Sequence, residues 1–113
     1  MANESECRAA LGRIVKRLIE VDPQEFAAHA VDRSISCRIT DLGLAFASRL
    51  HSGGLDPFEP TEDPGTAQVR ISVRSDDLVA LADDELHAAR AWATGRLKIE
   101  ASIFDLVRLR KLL

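Results

Sequence analysis

Three histidines, two cysteines and two short acidic runs are the residues of this chain with chemistry to offer. His29, His51 and His87 are scattered. None stands four residues from another, the spacing that lets two imidazoles on one helix share a metal ion. Asp76-Asp77 and Asp83-Asp84-Glu85 hold enough carboxylate for a cation. Each run sits where a helix should begin, and carboxylates there serve the unpaired N–H groups and the dipole of the first turn. Gly53-Gly54 is followed by no Gly-Lys-Ser/Thr, so it is not a phosphate loop. No serine lies in a nucleophile elbow. Cys7 and Cys37 fall on apolar faces of predicted elements, where thiols pack as small hydrophobes. They form no zinc-type pair, and an intracellular address favours two free thiols. These residues point to a chain that is not an enzyme, with no metal and no cofactor.

The surplus is apolar rather than chemical, and it lies at the end. Residues 94–113 read TGRLKIEASIFDLVRLRKLL, a turn, a strand and a closing helix. Gly95 suits the left-handed turn that ends a preceding helix. Leu97 and Ile99 alternate with Arg96, Lys98 and Glu100, the period of a strand with one wet face. Ser102 is a good N-cap. Asp105 near the helix start and Arg108, Arg110 and Lys111 near its end suit the helix dipole. At about 100° per residue, Ile103, Leu106, Val107, Leu109 and Leu113 share one arc and predict the inward face. Phe104 and Leu112 fall outside it. They fit contact with a loop, a partner chain or a lipid.

Composition narrows the class. The 113 residues suit one domain, and 46% hydrophobic with 29% charged is ordinary for a folded globular chain. No run of about 20 apolar residues is present to span a membrane. The opening MANESECRAALG has no basic n-region followed by an apolar h-region, so no secretory signal is expected and the cytoplasm is the expected location. A net charge of −3 argues against nucleic acid as a partner. The charge is uneven: residues 90–113 carry a net +4 and residues 51–85 a net −7. Helix ends and loops favour such charges on their own. The functional alternative is a basic C-terminal segment that touches anionic membranes transiently.

Upstream, helical spacing of Cys7, Leu11, Ile14, Val15 and Leu18 predicts a helix from Ser5 to about Glu20. Asp22-Pro23-Gln24-Glu25 signals a second start, with a short helix from Phe26 to about Ala30. Ser34–Thr40 and Leu44–Leu50 alternate on either side of Asp41-Leu42-Gly43 and predict an antiparallel hairpin. Residues 51–66 hold three of the four prolines and read as loop, with one short edge strand around Phe58. Gln68–Arg74 alternates again. Ser75-Asp76-Asp77 predicts the cap of a helix over Leu78–Ala82, and Leu86–Ala93 predicts another. The order predicts an α+β fold, a mostly antiparallel sheet covered on one face by helices. One domain spans 1–113, with helices in 5–30 and sheet and helices in 34–113.

Three pieces of the second half resemble the sterol carrier protein type 2 family. AQVRISVRSDDLVALAD resembles that family's strand and Ser-Asp-x-x-Leu helix start. ARAWATGRLKIEAS resembles its helix, small-residue turn and Gly-(Lys/Arg)-Leu-Lys strand. SIFDLVRLRKLL resembles its closing helix. The first half matches in order of elements only. Ala101-Ser102 departs from the family's usual Gly followed by Asp or Asn, and no peroxisomal tripeptide ends the chain. The resemblance implies a five-stranded sheet and an apolar tunnel between sheet and helices. The tunnel would take a sterol, a fatty acyl chain or a related lipid, for binding and transfer. Its implied lipid-binding residues are Phe26, Phe46, Ile71, Leu78, Leu81, Trp92, Ile103, Phe104, Val107 and Leu112. Burying about twelve CH₂ groups at ~0.8 kcal/mol each, less ~4 kcal/mol or more for association, leaves roughly 6 kcal/mol, an affinity of tens of micromolar at best. The alternative is an interaction module of the same fold. It would form a homodimer or serve a separate enzyme.

Overall fold

The computed structural model describes residues 2–21, 32–51 and 54–112, and their side chains except those of 17–21 and 108–112. The predicted helix at Phe26–Ala30 lies outside the described residues. Helix α1 runs Glu4–Val21 and strands β1 and β2 run Arg33–Ile39 and Leu44–His51. Two two-residue strands follow, β3 at Gly54–Leu55 and β4 at Glu59–Pro60, then a 3-10 turn at Pro64–Thr66. Strand β5 is Val69–Val73, helices α2 and α3 are Ser75–Ala82 and Ala88–Ala93, β6 is Leu97–Glu100 and α4 is Ile103–Leu112.

Among the described residues the sheet follows a five-strand path, in the order β3-β2-β1-β5-β6, with the short sixth strand β4 also paired to β2. β1 and β2 form the predicted hairpin through a turn closed by Gly43 at φ +66°. The pairing of β1 with β5 is parallel and the others are antiparallel, so the sheet is mixed. The expected edge strand near Phe58 is β4. Pro60 fits there because an edge tolerates the missing N–H.

Alternation sorts the two faces. Phe46, Cys37, Ile71 and Ile99 are register partners across four strands. Leu44, Ile39, Val73 and Leu97 form the next row. Cys7, Ala10 and Leu11 of α1, Leu78 and Ala82 of α2, and Ala91 of α3 pack with these rows into one core. A second cluster gathers Ile35, Leu50, Leu55 and Val69. The other sheet face is polar. It carries Arg38, Ser72 and Lys98 in one row and Ser36, Arg70 and Glu100 in the next.

The acidic runs do not cap α2. Arg74 occupies the cap position, and its side chain makes no capping hydrogen bond. Instead three of the five carboxylates tie the helix region to other parts of the chain. Asp76 accepts the Ala2 N–H at 2.8 Å, Asp77 pairs with Arg96 at 2.5 Å and Asp83 pairs with Arg13 at 3.0 Å. Ser75 is likewise diverted. Its N–H and hydroxyl both donate to Asp41, at 2.8 and 2.6 Å, joining the hairpin turn to α2.

Those bonds from Ser75 hold the Asp41 carboxyl below the ordinary carboxylate range. A native pKa below the unfolded one means that the unfolded chain takes the proton first. The contribution is therefore complete above the unfolded value and lost as pH falls through the native one. Asp41→Asn should lower stability at pH 7, and its urea midpoint should fall less than the wild type's between about pH 5 and pH 3. Parallel midpoint curves for the two proteins would contradict this.

Candidate functional site

The closing helix is set by three polar contacts. Ser102 caps it as the sequence predicts, its hydroxyl accepting the Asp105 N–H at 3.2 Å. Asp105 then turns inward. It is 6% exposed, and both its oxygens accept from Arg33 Nε at 3.1 Å. Arg33 shares the parity of Ile35 and Cys37, so it stands on the apolar sheet face at the start of β1. An acid buried to this degree is tolerated only with such a partner.

This anchor turns Ile103 and Val107 out of the predicted inward arc, of which Leu109 and Leu113 lie outside the described side chains. With Asp105 facing the sheet, residues two positions away on either side lie about 160° around the helix. Ile103 is accordingly 78% exposed and Val107 51%, and their neighbour Phe104 is 79% exposed. Leu106 is half-buried. The outcome is one exposed apolar surface of three large side chains on a helix whose Asp105 is inside. Runs of this kind on a folded chain mark contact with something apolar.

The ten sequence-implied lipid residues divide between two places. Phe46 and Leu78 are buried in the main core, with Ile71, Leu81 and Trp92 packed against it. Ile103, Phe104 and Val107 form the exposed face of α4. Phe26 and the side chain of Leu112 lie outside the described residues. Ile71 borders both core clusters, and Ala101, just before α4, packs on the second. The Arg33–Asp105 anchor was missed by the sequence reading. Its one signal was the parity of Arg33, which puts a cation on an apolar face. The cluster of Ile35, Leu50, Leu55 and Val69 was missed as well, although Ile35 and Val69 are strand positions of the correct parity.

Nucleophilic chemistry finds little support in the cysteines. Both are buried free thiols. Burial first, then the neighbouring Cys7, pushes Cys37 up to about 12. Burial and the charges of Asp41, Glu6 and Asp76 raise Cys7. A thiol held protonated is a poor nucleophile. His51 meets Asp56 at 2.8 Å, and the Ser48 hydroxyl donates to the Asp56 carbonyl at 2.5 Å. These bonds tie β2 to the segment that follows β3, a structural use of the histidine.

Two open clefts lie on polar surface, of about 760 and 420 Å³. None of the ten lipid candidates lines either one. Among the described residues, the space between the helices and the sheet is occupied by packed side chains.

Helices on the apolar face of a mixed sheet, closed by a helix with its own apolar surface outward, define a small α+β domain of the sterol-carrier type. The sequence model of the SCP-2 sterol transfer family matches residues 9–113, and the chain belongs to that family. Membership carries lipid or sterol binding or transfer in general. No curated protein matches the chain significantly. Among solved structures it is similar to a sterol carrier protein 2, with 16% identity, a TM-score of 0.65 and coverage of 92% of this chain and 90% of that one. It is also similar to palmitated SCP2L2 from Aedes aegypti, at 17% identity and a TM-score of 0.60 over 91% and 89% of the two chains. A third likeness is to the stereoselective inverting sec-alkylsulfatase Pisa1 from Pseudomonas sp., at 20% identity and a TM-score of 0.58. That match covers 88% of this chain and only 16% of the sulfatase. At such identities the likeness concerns the fold. No helix among the described residues is long and apolar enough to cross a membrane.

Proposed function

We propose that this chain binds a sterol, fatty acyl chain or related lipid without catalysis, and passes it on. The observation that carries this reading is the exposed apolar face of α4, Ile103, Phe104 and Val107, on a helix anchored to the apolar side of the sheet. The lipid would reach from the outward face of α4 into the space between sheet and helices, against Phe46, Ile71, Leu78, Leu81 and Trp92, with Phe26 and Leu112 completing the site. The family supplies the ligand class, and the palmitated relative supports an acyl chain in particular. The packed core means that lipid entry has to displace side chains. A cytoplasmic carrier that meets anionic membranes through its basic C-terminal segment is part of the same reading.

Trp92 is the only tryptophan and borders the main core. Its fluorescence should change saturably, at about 1:1 stoichiometry, when the delipidated protein is titrated with palmitate or cholesterol below their aggregation limits. No response to either, together with no lipid in the native mass spectrum, would overturn the reading.

The same exposed face supports a second reading, an interaction module. Burial of Phe104 and its neighbours in a homodimer, or against a separate enzyme, would serve it. The sulfatase, in which this fold makes up a small share of a longer chain, favours the accessory version. A mass that rises with concentration and returns to monomer on Phe104→Asp would support the dimer; a monomer at every concentration would exclude it.

A further inference from the structure

We propose that the polar face of the sheet holds an oxyanion site, with Arg38 and Lys98 as its walls and Ser72 as its floor. Its ligand is a phosphoryl group, carried by a soluble molecule or by a lipid headgroup. The site is separate from the apolar face on which lipid binding was proposed, and it does not depend on that reading.

The register places it. Arg38, Ser72 and Lys98 are partners across β1, β5 and β6, so their side chains leave the same face side by side. Two strand spacings put the outer pair about 10 Å apart. The residue between them is a small hydroxyl, which leaves room for an anion above it. The row lines the larger open cleft, of about 760 Å³, and Thr40 and Arg74 line it too.

Partnering sets Arg38 and Lys98 apart from the neighbouring paired arginines, and Arg74, just before α2, is a third cation of the cleft, whose charge acts on Asp41. Elsewhere on this face the arginines are engaged: Arg49 pairs with Asp32 at 2.5 Å and Arg70 with Glu100 at 3.6 Å. In the cleft itself, Arg96 is held by Asp77, and Asp76 accepts the Ala2 N–H. The nearby carboxylates are thus committed. Among the described residues Arg38 and Lys98 form no ion pair, and both are exposed. Like charges flanking a small hydroxyl repel one another when the gap is empty. A multiply charged oxyanion between them reverses the sign of that interaction and accepts charge-assisted hydrogen bonds from both walls and from Ser72. Arginine provides a planar fork and lysine a point charge, the pair of donors suited to phosphoryl oxygens.

The test is a titration of the full chain with inorganic pyrophosphate at low ionic strength, followed by 15N–1H NMR. Saturable shifts are expected at the amides of Arg38, Ser72 and Lys98. Arg38→Gln with Lys98→Gln should weaken binding at least tenfold with the spectrum otherwise folded, since both side chains lie in solvent. Arg49→Gln removes one equal charge from the same face outside the cleft and should leave binding within twofold. Vesicles of phosphatidylcholine with phosphatidic acid separate the two sources. Sedimentation with them that the double variant loses assigns a headgroup; pyrophosphate binding without vesicle binding assigns a soluble ligand. Shifts that do not saturate, or a response to Arg49→Gln as large as to the double variant, would overturn the site. So would the absence of both pyrophosphate and variant-sensitive vesicle binding.

Discussion

Phe46→Ala should destabilise the protein by about 3–5 kcal/mol, the range for removing a fully buried aromatic ring. The ring is 1% exposed. It stands opposite Cys37 on β1, takes Pro60 of β4 as its register partner on the other side and has Arg8 of α1 over it at 5.5 Å from its centroid. Truncation therefore loses contacts to two strands and a helix together. For a chain of this length the loss corresponds to a Tm lower by about 12–20 °C. Small domains have about 5–15 kcal/mol in all, so the variant should be partly unfolded at physiological temperature. Phe46→Leu keeps most of the volume and should cost about 1.5 kcal/mol or less. Urea and thermal unfolding at pH 7 measure both. The experiment also bears on the lipid site. A Phe46 that lines an open cavity has fewer contacts to lose, so a cost for Phe46→Ala under about 1 kcal/mol would place the ring on a tunnel wall instead of in a packed core.

Phe104→Ser should do the reverse, leaving stability within about 0.5 kcal/mol and weakening palmitate binding by roughly 30-fold. The first half follows from exposure: at 79% exposed, the ring has little folded-state contact to lose. The second half follows from the transfer of a large apolar side chain from water to lipid, worth about 2 kcal/mol. Ile103→Ser and Val107→Ser should act in the same direction, with Val107 the weaker because it is already half covered. Trp92 fluorescence titration gives the affinity and thermal unfolding gives the stability. A variant that melts lower and binds normally would show that this face packs on the protein itself. Unchanged stability with unchanged binding would remove α4 from the lipid site and turn attention to the interaction reading.

Element types were legible from the chain because their signals are local. Alternation in 34–40, 44–50, 68–74 and 97–99, the apolar spacing from Cys7 to Leu18, Gly95 at φ +82° and the Ser102 cap each depend on a few neighbouring residues. The motifs of the second half were specific enough to show the family, and with it the ligand class. Two-residue strands such as β3 have no period to read. Pairing partners were not legible either. Alternation says which face of a strand is apolar, not which strand lies beside it, so the parallel join of β1 to β5 emerged only in three dimensions.

The candidate site divides along the same line. Its apolar content was plain in the sequence, and so was the excess at Phe104. The orientation of α4 was not, because Asp105 had two competing uses. As a local feature it complements the helix dipole; as a tertiary one it meets Arg33, 72 residues earlier. The tertiary use wins because two hydrogen bonds to a guanidinium at the rim of the apolar face outweigh a screened dipole contact. Ser75, Asp76 and Asp77 repeat the lesson, each read as a cap and each drawn to a distant partner. Sequence by itself determined what each segment is and which of its residues are apolar. Tertiary structure alone decided which apolar residues were left facing water, because that depends on polar partners far apart along the chain.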